Sequence, residues 1–310
     1  MQLLDQPDVE YHPRCSHRFF GVFPPPKLDV TLDAIREFAA IEVLNRITLT
    51  GVQRKLSLGV EGKGLDRRFT IVSLWVRFVL KPPATEYANL PENEDAIMRL
   101  ASLSAIPVAP HAMIRLASGE LAYICRRIDR TENGKKLAME DLCQVSQRLT
   151  EDKYHGSTER AGKLIAHHSV YPGFDVVDFF ERVLFCYLTG NADMHLKNYS
   201  LLESPRGMRL SPAYDLLSTT LALPEDVEES ALTINGKKQK IVKKDFDSFA
   251  AALEIPQKTL ENSYRRFAGL FPEYASLLKR TFLSDSMKNT LIELIKKRAN
   301  TLFNDPAIVS

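Results

Sequence analysis

No stretch of this sequence stays apolar long enough to cross a membrane. The longest such run, Ile71 to Leu80, is broken by Arg77. A surplus of either charge is missing too. The chain carries 41 Lys and Arg against 39 Asp and Glu, a net charge of +2. So balanced a chain sets up no field to draw it to nucleic acid, an anionic membrane or a polyanionic partner, and none of these is expected to bind directly. The four cysteines, Cys15, Cys125, Cys143 and Cys186, include no CxxC pair. That excludes a disulfide framework and points to a reduced, cytoplasmic protein. Residues 1–10 hold three acids and no apolar segment, so no signal peptide is expected. There is no internal repeat and no low-complexity tract.

The 310 residues, 45% hydrophobic, suffice for one large core or for two lobes with a cleft. Thr31 is placed to cap a helix carrying Leu32, Ile35, Phe38, Ala39 and Val43 at helical spacing. Leu56, Leu58 and Val60 alternate as a strand, and residues 61–64 read as a turn. Residues 69–80 are rich in β-branched and aromatic types and predict one long strand or two short ones, stopped by Pro82-Pro83. A helix is expected over 90–104 with Pro91 in its first turn and Ile97, Leu100, Ala101 and Leu103 facing inward. A hairpin is expected around Ser118-Gly119.

Beyond residue 130 the pattern is helical, with candidates at 138–149, 157–168, 175–189, 245–254, 257–280 with breaks, and 285–303. Residues 190–220 read as an irregular polar insert. The change from β-rich to α-rich predicts an α+β chain in two lobes, 1–128 and 129–310, joined through Cys125 to Arg130; an α+β domain without a cleft is the plainer alternative. Lys237, Lys238, Lys240, Lys243 and Lys244 form the densest basic stretch, best taken as a solvated loop or helix start. His12, Cys15 and His17 fall within six residues, but a structural zinc needs a second ligand pair that is missing nearby, so a capping or packing segment is expected.

The segment Asn191-Ala192-Asp193-Met194-His195-Leu196-Lys197-Asn198 places an Asp and an Asn five positions apart after an apolar helix, and Asp215 follows seventeen residues later. Phosphoryl transfer asks a protein for a carboxylate to orient the attacking hydroxyl and for oxygen ligands to magnesium. Asp193 as base with Asn198 and Asp215 as metal ligands meets that need, and protein kinases use the same Asp-x4-Asn spacing. Taken alone, the spacing is common: Asn198 can be a turn residue, Asp215 a helix cap, His195 and Lys197 plain surface residues. Upstream, Lys81 ends an apolar strand and Glu94 lies thirteen residues later on a predicted helix, where it can hold the lysine by an ion pair. Gly51 to Gly59 stands where a phosphate-covering loop belongs, although it has neither a GxGxxG nor a Walker pattern. The five elements occur in kinase order, which is far more specific than any one of them.

Gly51-Val52-Gln53-Arg54-Lys55, Glu94, Leu188 to Ser200 and Leu210 to Leu217 together resemble the HipA-type serine/threonine kinases of bacterial toxin–antitoxin systems, from about residue 45 to about residue 255. The chain is most similar to the short HipT form, in which a separate small protein supplies an N-terminal subdomain. The resemblance implies a two-lobed protein-kinase-like fold with a β-rich N-lobe and a mainly helical C-lobe. It implies ATP and Mg2+ as cofactors, and an aminoacyl-tRNA synthetase as protein substrate. A small accessory protein and a helix-turn-helix DNA-binding antitoxin are the implied partners. Residue by residue, it implies nucleotide contacts at Val52, Gln53, Lys55, Ser57, Lys81, Glu94, Arg126, Arg127 and Ile128, with His195 and Lys197 beside the base Asp193. It also implies autophosphorylation at Ser57, with Gly59 at the place of a second serine. Two other readings compete: a kinase acting on a small-molecule hydroxyl, and a nucleotide-holding module without turnover.

Overall fold

The computed structural model describes residues 10–37, 55–71 and 76–303. The chain forms two compact units, residues 1–95 with 109–135, and residues 96–108 with 136–310.

The first unit is built on an antiparallel sheet of strands β1 (Leu56–Glu61), β2 (Arg68–Ile71), β3 (Phe78–Lys81), β4 (His111–Arg115) and β5 (Leu121–Arg126), in the order β2-β1-β3-β5-β4. Alternation decides which face is buried: Leu56 and Leu58 turn inward while Ser57 and Gly59 lie on the other side. Gly62 turns the chain toward β2 with φ +84°; a Cβ there would meet the Asp66 carbonyl oxygen at 2.4 Å, so no other residue fits. Helix α1 (Pro13–Phe20) delivers Phe19 and Phe20 to the sheet, where they pack with Phe69 and Phe78. The His12 side chain accepts from the Arg14 N–H and caps α1, and Cys15 is exposed. A helical segment over 32–37 starts on Thr31, whose hydroxyl accepts from Ala34 N–H; the rest of that expected helix, and residues 51–54, lie outside the described residues.

Helix α2 (Leu90–Leu103) follows Asn89 and buries Ala96, Ile97, Met98, Leu100 and Ala101; Leu103, expected inside, is exposed.

The second unit is mainly helical: α3 (Leu142–Val145), α4 (Thr158–His168), α5 (Pro172–Thr189), α6 (Thr219–Ala222), α7 (Lys243–Ala252), α8 (Gln257–Gly269), α9 (Phe271–Leu278) and α10 (Asp285–Phe303). Its axis is α5, with Phe179, Phe180, Leu184 and Phe185 fully buried. Phe180 meets Phe249 of α7 at 5.4 Å between ring centroids, and α4 and α10 pack along the same helix.

Two expectations need correction. Residues 190–220 are not all irregular: β7 (Ser200–Ser204) and β8 (Gly207–Leu210) form a hairpin there. The expected helix over 138–149 opens instead as strand β6 (Met139–Asp141), paired with β7 so that Asp141 lies opposite Ser200. Helix α3 starts only after Asp141 caps it, with Gln144 closing the reciprocal capping box. No described helix is long and apolar enough to cross a membrane.

Candidate functional site

In the first unit the structure brings Lys81 and Glu94 together. Lys81 is the last residue of β3, paired with Tyr123 of β5, and only 2% exposed. Its Nζ donates to both carboxylate oxygens of Glu94, at 2.5 and 2.7 Å, and lies 5.4 Å from the Tyr123 ring centroid. An ammonium taken this far out of water is tolerable only when it is paired, and Glu94 of α2 supplies the pairing charge from one helical turn.

The remaining first-unit candidates are spread along its sheet. Lys55 is exposed just before β1, and Ser57 sits within β1 opposite Val79. Val52 and Gln53 lie outside the described residues. Arg126 ends β5 and donates to the Arg18 carbonyl, while Arg127 forks onto Asp129 at 2.9 and 2.8 Å. Ile128 follows, half-buried.

In the second unit one loop carries most of the candidates, and its shape follows from how α5 ends. Gly190 takes φ +75°, so Asn191 N–H reaches back to the Cys186 carbonyl at 2.8 Å and Gly190 N–H to that of Tyr187 at 3.3 Å. This six-to-one, five-to-two pair is a Schellman stop. Thr219 then ties the loop to α6: its hydroxyl donates to the Gly190 carbonyl at 3.0 Å and accepts from Ala192 N–H at 2.9 Å. Asn191 Oδ1 accepts from Asp193 N–H at 3.1 Å. The Asp193 carbonyl accepts twice, from His195 N–H and from Asn198 Nδ2, each at 2.9 Å. The backbone at Asp193 is thereby held on three sides.

The Asn198 bond also settles which way its amide faces. With Nδ2 spent on Asp193, Oδ1 points away and has no hydrogen-bond partner among the described residues. Asp215 is half-buried and takes φ +56°, a left-handed backbone that few non-glycine residues adopt and that recurs at functional sites. An amide oxygen and a carboxylate are hard oxygen donors, the ligand type that magnesium takes.

Two further candidates lie in the same loop. Lys197 Nζ donates to Asp141 Oδ2 at 2.9 Å and not to Asp193. His195 is 7% exposed; burial holds its imidazole below the usual range, against the pull of Asp193 in the other direction. Its Nδ1 has no partner among the described residues. The Tyr154 hydroxyl donates to Asp193 Oδ1 at 2.6 Å, and burial together with that carboxylate raises the phenol well above its ordinary range. Sequence reasoning passed over Tyr154, Asp141 and Thr219. They lie 39, 56 and 27 positions from the residues they hold, and no local pattern marks them.

Comparison with known proteins bears on this arrangement. Residues 47–274 match the family model described as the HipA-like C-terminal domain. The Sinorhizobium fredii protein named "Putative kinase Y4mE" is 30% identical over 244 residues, 76% of this chain and 57% of its own. The "Serine/threonine-protein kinase toxin HipA" of Shewanella oneidensis is 29% identical over 251 residues, 74% of this chain and 56% of its own. The chain thus spans little more than half the length of these relatives. The solved complex of HipA, HipB and operator DNA from Shewanella oneidensis MR-1 matches with a TM-score of 0.71 at 22% identity, covering 90% of this chain and 75% of that one. That likeness fixes the fold as the kinase-like α+β fold.

Proposed function

The chain belongs to the HipA-like C-terminal domain family, and from that premise we propose that it is an ATP- and magnesium-dependent protein serine/threonine kinase, the toxin of a toxin–antitoxin system. The observation that carries the reading is the loop holding Asp193 and Asn198. Three hydrogen bonds hold the Asp193 backbone, one of its carboxylate oxygens has no partner among the described residues, and Asn198 Oδ1 has none there either.

Asp193 accepts the proton of the acceptor serine as its oxygen attacks the γ-phosphorus of ATP and ADP leaves. Asn198 and Asp215 would hold magnesium, which would supply positive charge to offset that of the phosphates. His195, kept neutral by burial, backs the base without adding a charge beside it, and Lys197, anchored on Asp141, fixes the loop's far side. Lys81, aimed by Glu94, contacts the nucleotide phosphates. Val52, Gln53, Lys55 and Ser57 form the phosphate-covering region, and Arg126, Arg127 and Ile128 border the nucleotide. Residues 1–128 act as the N-lobe in this scheme and 129–310 as the C-lobe.

The finer assignments extend the family's behaviour to this chain. The substrate is a protein, by this reading an aminoacyl-tRNA synthetase, and Ser57 is the site of self-modification. A phosphoserine there adds nearly two negative charges next to bound triphosphate and lowers ATP affinity. A helix-turn-helix antitoxin and a small accessory protein are the partners, and the protein works in the cytoplasm.

Two substitutions test the division of labour. Asp193→Asn removes the proton acceptor but leaves both metal ligands, so transfer falls by about a thousandfold or more while thermal stabilisation by magnesium–ATP persists. Asp215→Asn weakens both. Transfer near the wild-type rate in Asp193→Asn, or undiminished magnesium–ATP stabilisation in Asp215→Asn, contradicts the respective role.

A further inference from the structure

The turn after residue 152 leans on the loop of Asp193 through three contacts. The Lys153 carbonyl accepts from Leu196 N–H at 3.1 Å. The Tyr154 ring meets His195 edge to face, 5.0 Å between centroids and 82° between planes. The Tyr154 hydroxyl donates to Asp193 Oδ1 at 2.6 Å. Lys153 Nζ lies over the same ring, 4.9 Å from its centroid.

These contacts divide the work of holding Asp193. The bonds from Asn191, His195 and Asn198 all engage its backbone and leave the side chain free to turn. Among the described residues, the Tyr154 hydroxyl is the one hydrogen-bond partner of the carboxylate: it occupies Oδ1, and Oδ2 has none there.

We propose that Tyr154 is a positioning residue for phosphoryl transfer: its hydroxyl pins one oxygen of Asp193 so that the other meets the incoming acceptor hydroxyl. The role rests on the function proposed above. A phenol suits it chemically. It donates one short bond to the carboxylate and, with its ring packed on His195, has little rotational freedom to lose. Its own proton stays in place, since burial and the neighbouring carboxylate both oppose ionisation. Without the hydroxyl the carboxylate samples other rotamers, and a misplaced base costs rate rather than nucleotide affinity.

Tyr154→Phe keeps the ring and removes only the donor. Initial rates of transfer from radiolabelled ATP into the soluble proteins of a bacterial lysate, measured against ATP concentration, give the separation needed. The expected result is a fall of about tenfold in maximal rate with the ATP concentration for half-maximal rate unchanged. Binding stoichiometry for a non-hydrolysable ATP analogue stays at the wild-type value, which excludes a mere loss of folded protein. A wild-type rate in Tyr154→Phe overturns the role. So does a faster rate, which would make the hydroxyl a blocker of the base. Asp193→Asn, run alongside, keeps the two claims apart: transfer by that variant sinks the reading of the loop, whereas a dead Asp193→Asn beside an unimpaired Tyr154→Phe sinks only the role of Tyr154. NMR of protein labelled at tyrosine Cζ reads the bond without turnover. The resonance missing from Tyr154→Phe shifts in Asp193→Asn, and an unmoved resonance also overturns the proposal.

Discussion

At the scale of single residues the buried pair of Lys81 and Glu94 makes the sharpest demand on stability. Their side chains are 3% and 1% exposed. Lys81→Ala removes the cation and leaves the Glu94 charge in a site that water does not reach. The expected loss is about 3–5 kcal/mol, read by urea unfolding. Replacing both residues together, Lys81→Met with Glu94→Leu, removes both charges and recovers most of that stability. The double variant does not regain transfer, because nothing then reaches the phosphates. Equal stability in Lys81→Ala and wild type contradicts the buried pair, and transfer by the double variant contradicts its role. The sequence exposed this pair because each member sits at a predictable place, the end of an apolar strand and the early turns of a helix with Pro91 in its first turn. It could not expose Tyr154, because nothing in a tyrosine after Lys153 says which loop it will touch.

At the scale of elements the turn out of α5 decides where the candidate base stands. Gly190 is required there twice over. Its φ is +75°, and a Cβ would lie 2.6 Å from Leu294 Cδ2, 2.7 Å from Thr220 Oγ1 and 3.0 Å from Ser218 Oγ. Gly190→Ala therefore adds a left-handed penalty of about 1–2 kcal/mol to crowding on three sides. A loss of at least about 2 kcal/mol is expected, with a lower transfer rate as the loop shifts; unchanged melting and rate contradict this account of the turn. Helix α5 was legible because Val176, Phe179, Phe180, Val183, Leu184 and Leu188 recur at helical spacing along it. The sheet β6-β7-β8 was not. Its strands are short, they mix Glu, Asp, Ser and Arg with apolar residues, and β6 pairs with a partner some sixty positions away. Local alternation cannot announce a strand whose partner is so distant. The capping box of Asp141 and Gln144 starts the helix only after Asp141, so α3 covers just part of the expected helix over 138–149.

At the scale of the whole chain, the order of five weak motifs said more than any one of them, and the match to the HipA-like C-terminal domain over residues 47–274 spans all five. The identity of the substrate was not legible, because it depends on surface shape and leaves no motif. The near-neutral charge of +2 fits an enzyme whose target is a protein rather than a nucleic acid. The most direct test of the central claim is incubation of the purified chain with radiolabelled ATP, magnesium and a bacterial lysate, followed by separation of proteins from small molecules. The account predicts label on serine in a discrete lysate protein and on Ser57 of the chain itself, mapped by mass spectrometry, with neither formed by Asp193→Asn. Label confined to a small molecule, or no label at all, contradicts it.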